Sequence, residues 1–414
     1  MILSAVKTIP PAPDCAGPLF SKRRLSPFLL ALVLVPMKLF AWTNGELLIW
    51  MDNDRAKALA PVAQKFHDDF GLKVTIDTPE KITDSFAMAA QVAKGPDIVV
   101  WAHDKVGEWA DAGLIRPIEV SGEFSRKFFL KAWQAVLHRE WIWGYPISLE
   151  TVTLIYNKNL LIGSPPADLA QLVSISQEMK TRNPGVMPIL WDYKSAFYSW
   201  GILASAGAYV FAKAGPDYDL HNVGVANRGA IKGLSEIIAL IKAGVLPKGA
   251  SYSMTEELMG QGKLAMTISG PWAWSNLVKS GIAFGLAPIP GVHGNVGRPF
   301  VGVSVAYLNR WSPNQDLATE FLEHYFLTEA GLSAIDHAKP IGIPALISLY
   351  ETIAKDNALI QGLKAGVDQG QIMPNIPQMG RFFSAVGTAL QIAAEGRASP
   401  EEALQEALIS LRSK

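Results

Sequence analysis

Asp54 follows a short apolar run, Glu46-Leu-Leu-Ile-Trp-Met51, and Asp104 follows another, directly after Trp101-Ala102-His103. Ligands of open α/β sheets bind beyond the carboxyl ends of the strands, so two carboxylates at such ends share one rim. With Arg55, Lys105 and Trp101 beside them they suit a polyhydroxylated ligand. A carboxylate accepts from hydroxyls, a cation donates to them, and an indole face covers the apolar side of a sugar ring. Asp54 has a second reading, as the cap of the helix that follows the strand, and the sequence leaves the two open.

Two further segments carry aromatic groups in rigid settings. Ser269-Gly-Pro-Trp-Ala-Trp274 follows a strand and opens a helix, with Pro near its first turn. One of its two tryptophans is expected in the core and the other at a surface. Met373-Pro-Asn-Ile-Pro-Gln-Met379 is stiffened by two prolines and leads into Phe382-Phe383. Enzyme signatures are sparse. His138-Arg139-Glu140 lacks the second histidine of a zinc helix, and Gly260-Gln-Gly-Lys263 lacks the spacing of a phosphate loop. Gly302-Val-Ser-Val-Ala306 misses the last glycine of a nucleophile elbow. Asp104 and Glu150 are the carboxylates that glycoside chemistry would use, a minor alternative because no acid/base environment is visible around them.

These residues need a scaffold, and the pattern supplies one. Strands are expected at Glu46–Met51, Lys73–Asp77, Asp97–Ala102, Thr153–Asn157, Met187–Trp191, Lys263–Ser269 and Ala283–Ala287, with amphipathic helices between, among them 82–93 and 168–181. The β-α-β-α-β order argues for an α/β doubly wound sheet. From Gln315 onward the chain reads as mainly helical. Of the 414 residues 49% are apolar and 18% charged, which excludes a disordered chain, and 37 basic residues balance 37 acidic ones, which gives no sign of a nucleic-acid binder. Cys15 stands alone, so no internal disulfide and no cysteine metal site is possible.

Residues 1–41 read as an export signal: Lys22-Arg23-Arg24, an apolar run from Leu25, and a small residue at Ala41. Cleavage there would leave a cysteine-free chain starting at Trp42, exported to the periplasm.

The chain resembles the maltose/maltodextrin-binding proteins of ATP-driven sugar importers, from Gly45 to the C-terminus. The segments that carry the resemblance are Gly95-Pro-Asp-Ile-Val-Val-Trp-Ala-His-Asp104, Tyr145-Pro-Ile-Ser-Leu-Glu150, Ala265-Met-Thr-Ile-Ser-Gly-Pro-Trp-Ala-Trp-Ser-Asn276 and Ile372-Met-Pro-Asn-Ile-Pro-Gln-Met379. It implies a two-lobed periplasmic-binding fold of type II with the ligand cleft between lobes. One lobe would hold 42–150 and 306–352, the other 151–305 and 353–414. It implies an oligosaccharide receptor, not an enzyme, needing no cofactor or metal, monomeric, and served by inner-membrane permease subunits. The alternative is a receptor for a different disaccharide such as trehalose.

Carried over position by position, the resemblance assigns ligand contacts to Asp54, Arg55, Lys81, Trp101, Ala102, Asp104, Lys105, Glu150, Phe197, Tyr198, Trp272, Met373 and Phe383. Departures fall mostly in the C-terminal lobe. The family's carboxylate before the aromatic platform is Ser195, its second stacking tryptophan is Phe383, and its arginine four residues on is Gly387. Such losses redirect specificity, because a polar group matched to a substrate hydroxyl discriminates strongly.

Overall fold

The computed structural model describes residues 42–43, 45–215 and 217–413. The expected export signal, residues 1–41, and Cys15 lie outside the described residues. Among those described, the chain forms an α/β structure built on two mixed sheets, each flanked by helices.

The first half of the larger sheet follows the apolar runs. β1 (Glu46–Trp50) leads to α1 (Asn53–Phe70), β2 (Lys73–Asp77), α2 (Ile82–Gln91) and β3 (Ile98–Ala102). β1 lies between β2 and β3 and is parallel to both. On α1, Ala56, Leu59, Ala63 and Phe66 are buried, a helical spacing that turns one face to the sheet. Gly71 closes the helix with φ 70°, a left-handed cap that favours glycine. The cap at the other end is not Asp54. Asp52 accepts from the backbone N–H of Arg55, and Asp54 sits inside the first turn. A residue inside the helix already has helical backbone, so its side chain is free to do something else.

The chain then runs through α3 (Val106–Asp111) to β4 (Tyr145–Thr151) and straight on to β5 (Thr153–Asn157), which belongs to the other sheet. The smaller half follows as α4 (Gln171–Arg182), β6 (Met187–Ile189), α5 (Ala196–Ser205), the hairpin β7 (Tyr209–Ala214) and β8 (Asp217–Gly224), α6 (Arg228–Lys242), α7 (Tyr252–Gly260), β9 (Leu264–Ser269), α8 (Trp274–Lys279) and β10 (Phe284–Ala287). The chain returns along β11 (Phe300–Leu308), and the helical end contains α9 (Glu329–Ala338), α10 (Ala358–Gln369), α11 (Met379–Ala394) and α12 (Pro400–Arg412). Two short strands interrupt that end, β12 (Ile343–Pro344) and β13 (Gln371–Ile372).

Among the described residues the larger sheet has seven strands in the order β12-β4-β11-β3-β1-β2, with β13 beside β11. The smaller has four, β10-β5-β9-β6. β11 is antiparallel to both β3 and β4, so the parallel character that the alternation implied is kept in β2-β1-β3, in the short pair β11-β13 and, in the smaller sheet, in β9-β6. Helices start and stop near the expected places. α4 begins at Gln171, not 168, because Asp168 spends its carboxylate on the N–H groups of Ala170 and Gly294 in the preceding turn.

The crossing from one sheet to the other is tightly built. Thr151 donates its hydroxyl to the Phe300 carbonyl at 2.7 Å. Gly366 of α10 lies over Thr151 and Thr153, where an added Cβ would come within 3.2 and 3.1 Å of their methyl groups.

Candidate functional site

Asp54 and Arg55 stand in the first turn of α1. Lys339, from the segment between α9 and β12, donates to Asp54 Oδ2 at 2.7 Å. That bond and the lysine's charge hold the Asp54 carboxyl below the usual carboxylate range. Arg55 pairs with Asp52 at 3.2 Å and also donates to the Pro340 carbonyl. Glu150, next to last in β4, faces Gly302 in β11. Burial raises its pKa, and the charges of Arg55 and Lys339 work against that rise. Five charges, Asp52, Asp54, Arg55, Glu150 and Lys339, from three distant stretches of chain are thereby gathered at one corner.

The aromatic wall comes from the smaller half. Phe197 and Tyr198 open α5, and their rings lie 6.1 and 6.3 Å from Trp272. Trp274, by contrast, is a core residue, buried with α8. Tyr198 is coupled to both halves. Burial drives its hydroxyl up to about 12, Trp272 acts against this through a hydrogen bond, and the negative charges of Asp192, Glu256 and Glu150 reinforce it. A cleft of about 800 Å³ runs between Asp54, Lys57 and Lys339 on one side and Trp272 and Asn276 on the other. Clefts with an apolar wall and a few fixed polar groups are the usual form of small-ligand sites.

The Trp101 group occupies the same rim as β1. Trp101 is 37% exposed at the end of β3, and the Ala102 carbonyl accepts from the Tyr307 hydroxyl at 2.8 Å. His103 is fully buried: it accepts from the Val303 N–H through Nδ1 and donates from Nε2 to the Met373 carbonyl. That pairing leaves one tautomer, and burial pushes the ring down to about 4, so it stays neutral. Asp104 follows with its carboxyl raised to about 6, mainly by burial, with Lys105 opposing. Its Oδ1 and Arg55 Nε are buried with no hydrogen-bond partner among the described residues. Buried polar atoms are nearly always paired, so two such atoms on one rim are fitted to meet a ligand's hydroxyls.

Other expected contacts are placed less openly. Lys105 is engaged by Glu108 at 2.7 Å. Lys81 is exposed at the N-cap position of α2 and enters no ion pair among the described residues. Met373 is buried, with its main chain bonded to Val301 and His103. Phe383 packs edge-on against Phe300 and Phe382 at 6.1 and 5.3 Å. Lys339 escaped the sequence reading because it lies 285 positions from the carboxylate it holds. Asp192, Tyr252 and Glu256 also went unnoticed; the spacing of four on one helix was the local signal for Tyr252 and Glu256, whereas nothing local marked Asp192.

The model of the bacterial extracellular solute-binding protein family matches residues 52–331. The chain belongs to that family. Its fold is accordingly the two-lobed periplasmic-binding fold of type II, with the cleft between lobes. Curated relatives of this solute-binding protein span nearly all of it. It is 27% identical to the galactooligosaccharide-binding protein of Bacillus subtilis over 378 residues, 88% of each chain. It is 25% identical to the maltotriose-binding protein of Pyrococcus abyssi, covering 84% of this chain and 77% of that one. A maltooligosaccharide ABC transporter solute-binding lipoprotein of Streptococcus pneumoniae is 24% identical over 89% of this chain and 88% of its own. No helix of the described residues is long and apolar enough to cross a membrane.

Proposed function

We propose that this solute-binding protein captures a neutral oligosaccharide of the maltodextrin type between its lobes and delivers it to the permease of an ABC transporter. The observation that carries the reading is the pairing of walls: Trp272 with Phe197 and Tyr198 on one side, Asp54, Arg55, Glu150 and Lys339 on the other. The relatives' names support it, since they are named for maltotriose, maltooligosaccharides and galactooligosaccharides. A receptor needs differential contacts with both lobes, because a ligand shifts a conformational equilibrium only by the affinity difference between its states. The lobes exchange chain near Glu150–Thr153, Phe300–Ala306 and residues 350–358, export proceeds through residues 1–41, and the receptor works as a monomer without cutting its ligand. Lys105, Lys81 and Phe383 complete the ligand contacts, and Met373 backs the site from the core.

Titration calorimetry of the purified protein against maltose, maltotriose, β-1,4-galactotriose, trehalose and sucrose tests this. Micromolar or tighter binding of the maltose series supports the reading; binding of only another sugar in the set keeps the receptor and changes its ligand. Trp272→Ala removes the stacking face and lowers affinity at least about tenfold, roughly 1.4 kcal/mol. Unchanged affinity in this variant would place the sugar elsewhere.

A further inference from the structure

Behind Tyr198, inside the smaller lobe, lies a second and much smaller chamber of about 30 Å³. Asp192 and Glu256 line it with Tyr198, Tyr252, Thr267 and Ser269. Tyr252 donates to Glu256 Oε1 at 2.5 Å and stacks on Tyr198 with ring centres 6.2 Å apart. The hydroxyls of Thr267 and Ser269 are buried, each residue 3% exposed, and have no hydrogen-bond partner among the described residues. Neither hydroxyl is needed for the β9 ladder, where an apolar side chain would pack without leaving a polar atom unpaired. The chamber holds roughly two water-sized groups, since one water takes about 10–15 Å³. A sugar ring is far too large for it. Two heavy atoms ending in a hydroxyl fit.

We infer that this chamber receives the exocyclic hydroxymethyl group of the hexose that stacks on Trp272, and that it selects neutral hexose oligosaccharides with a free primary hydroxyl. The polar groups are matched: carboxylates only accept, so the one hydroxyl hydrogen is donated to either Asp192 or Glu256, while Thr267 and Ser269 donate to the hydroxyl oxygen. Met259, Ala273 and Leu277 pack against its methylene. A uronic acid presents a carboxylate where two carboxylates already stand and is rejected. A pentose or a 6-deoxy sugar enters without filling the chamber. The inference rests on the oligosaccharide-receptor reading and narrows it to a substrate class.

The test is calorimetry of the purified protein with maltotriose and β-1,4-galactotriose, each against its 6-deoxy counterpart. On the unaltered protein the 6-deoxy sugar binds about tenfold more weakly than its parent. In Thr267→Val with Ser269→Ala the parent loses about five- to tenfold and the gap to the 6-deoxy sugar closes. The melting temperature of the double variant is equal or higher, because two unpaired buried hydroxyls are gone. A purely structural role would leave sugar affinity unmoved in that variant. Glu256→Gln, which keeps the shape of the chamber, gives the same narrowing if the double variant folds poorly. Equal affinities of parent and 6-deoxy sugar overturn the inference while the receptor reading stands. Failure of the unaltered protein to bind either parent trisaccharide overturns both.

Discussion

His103 and Asp104 are neighbours whose protons answer burial in opposite directions. Burial drives the histidine down to about 4 and the aspartate up to about 6. The histidine stays neutral when folded but charges when unfolded, so the stability it contributes at neutral pH is lost as pH falls below about 6.5 towards 4. The aspartate holds its proton longer when folded than when unfolded, so its contribution is largest near pH 4 and is lost as pH rises through 6. The two slopes offset each other over the same window. Asp104→Asn removes one of them. It is expected to melt higher than the parent at pH 7, with the advantage shrinking to nothing near pH 4, as thermal unfolding across that range would show. Hydroxyl donors favour the ionised carboxylate, so sugar binding at pH 5.5 should release protons. The calorimetric heat of the parent then depends on the buffer, and that of the variant does so less.

At the scale of elements, the segment Met373-Pro-Asn-Ile-Pro377 is an anchor, not an open turn. The Gly107 N–H of α3 donates to the Asn375 carbonyl at 2.9 Å, and Asn375 Nδ2 donates to the carbonyls of Ala135 and Leu137 at 2.9 and 2.8 Å. A Cβ at Gly107 would come within 2.5 Å of the Asn375 carbonyl oxygen. Backbone cannot retreat as a side-chain tip can, so Gly107→Ala should cost about 1–3 kcal/mol and lower the melting temperature by about 2 °C or more. An unchanged melting curve would mean that the segment moves aside freely. The hairpin β7–β8 is among the elements that sequence periodicity missed, with the strands β4 and β11 of the larger sheet. In the hairpin, β8 is largely exposed and polar, β7 reads Tyr209-Val-Phe-Ala-Lys-Ala214, and the register shifts between Asp219 and Val223, so no apolar alternation marks it.

For the whole molecule, the crossing that joins the two sheets directly is the passage from β4 into β5. β4 passes into β5 without a loop, Thr151 holds Phe300, and Gly366 lets α10 rest on the junction. Short strand connections of this kind confine motion to a few dihedrals and leave each lobe rigid. Saturating oligosaccharide should therefore reduce the radius of gyration measured by small-angle scattering, and Trp272→Ala should remove the change at the same sugar concentration. A radius that stays constant in the parent while calorimetry reports binding would mean that the ligand is held without closure.

The strands β1, β3, β5 and β9, the helix α1 and the family were legible from local chemistry. Apolar runs, helical spacing and the Gly-Pro-Trp and Met-Pro-Asn segments are properties of neighbours in the chain. Tertiary structure alone decided which carboxylate caps α1, since Asp52 and Asp54 are both plausible until backbone angles are set. It alone brought Lys339 to Asp54 and set Glu150 within reach of Arg55 and Tyr198. It also turned Met373 into the core and assembled the chamber behind Tyr198 from β9, α7, α8 and the turn at Asp192 that follows β6. Periodicity records which face of an element is apolar, whereas the partner of a charge depends on the distance that folding closes.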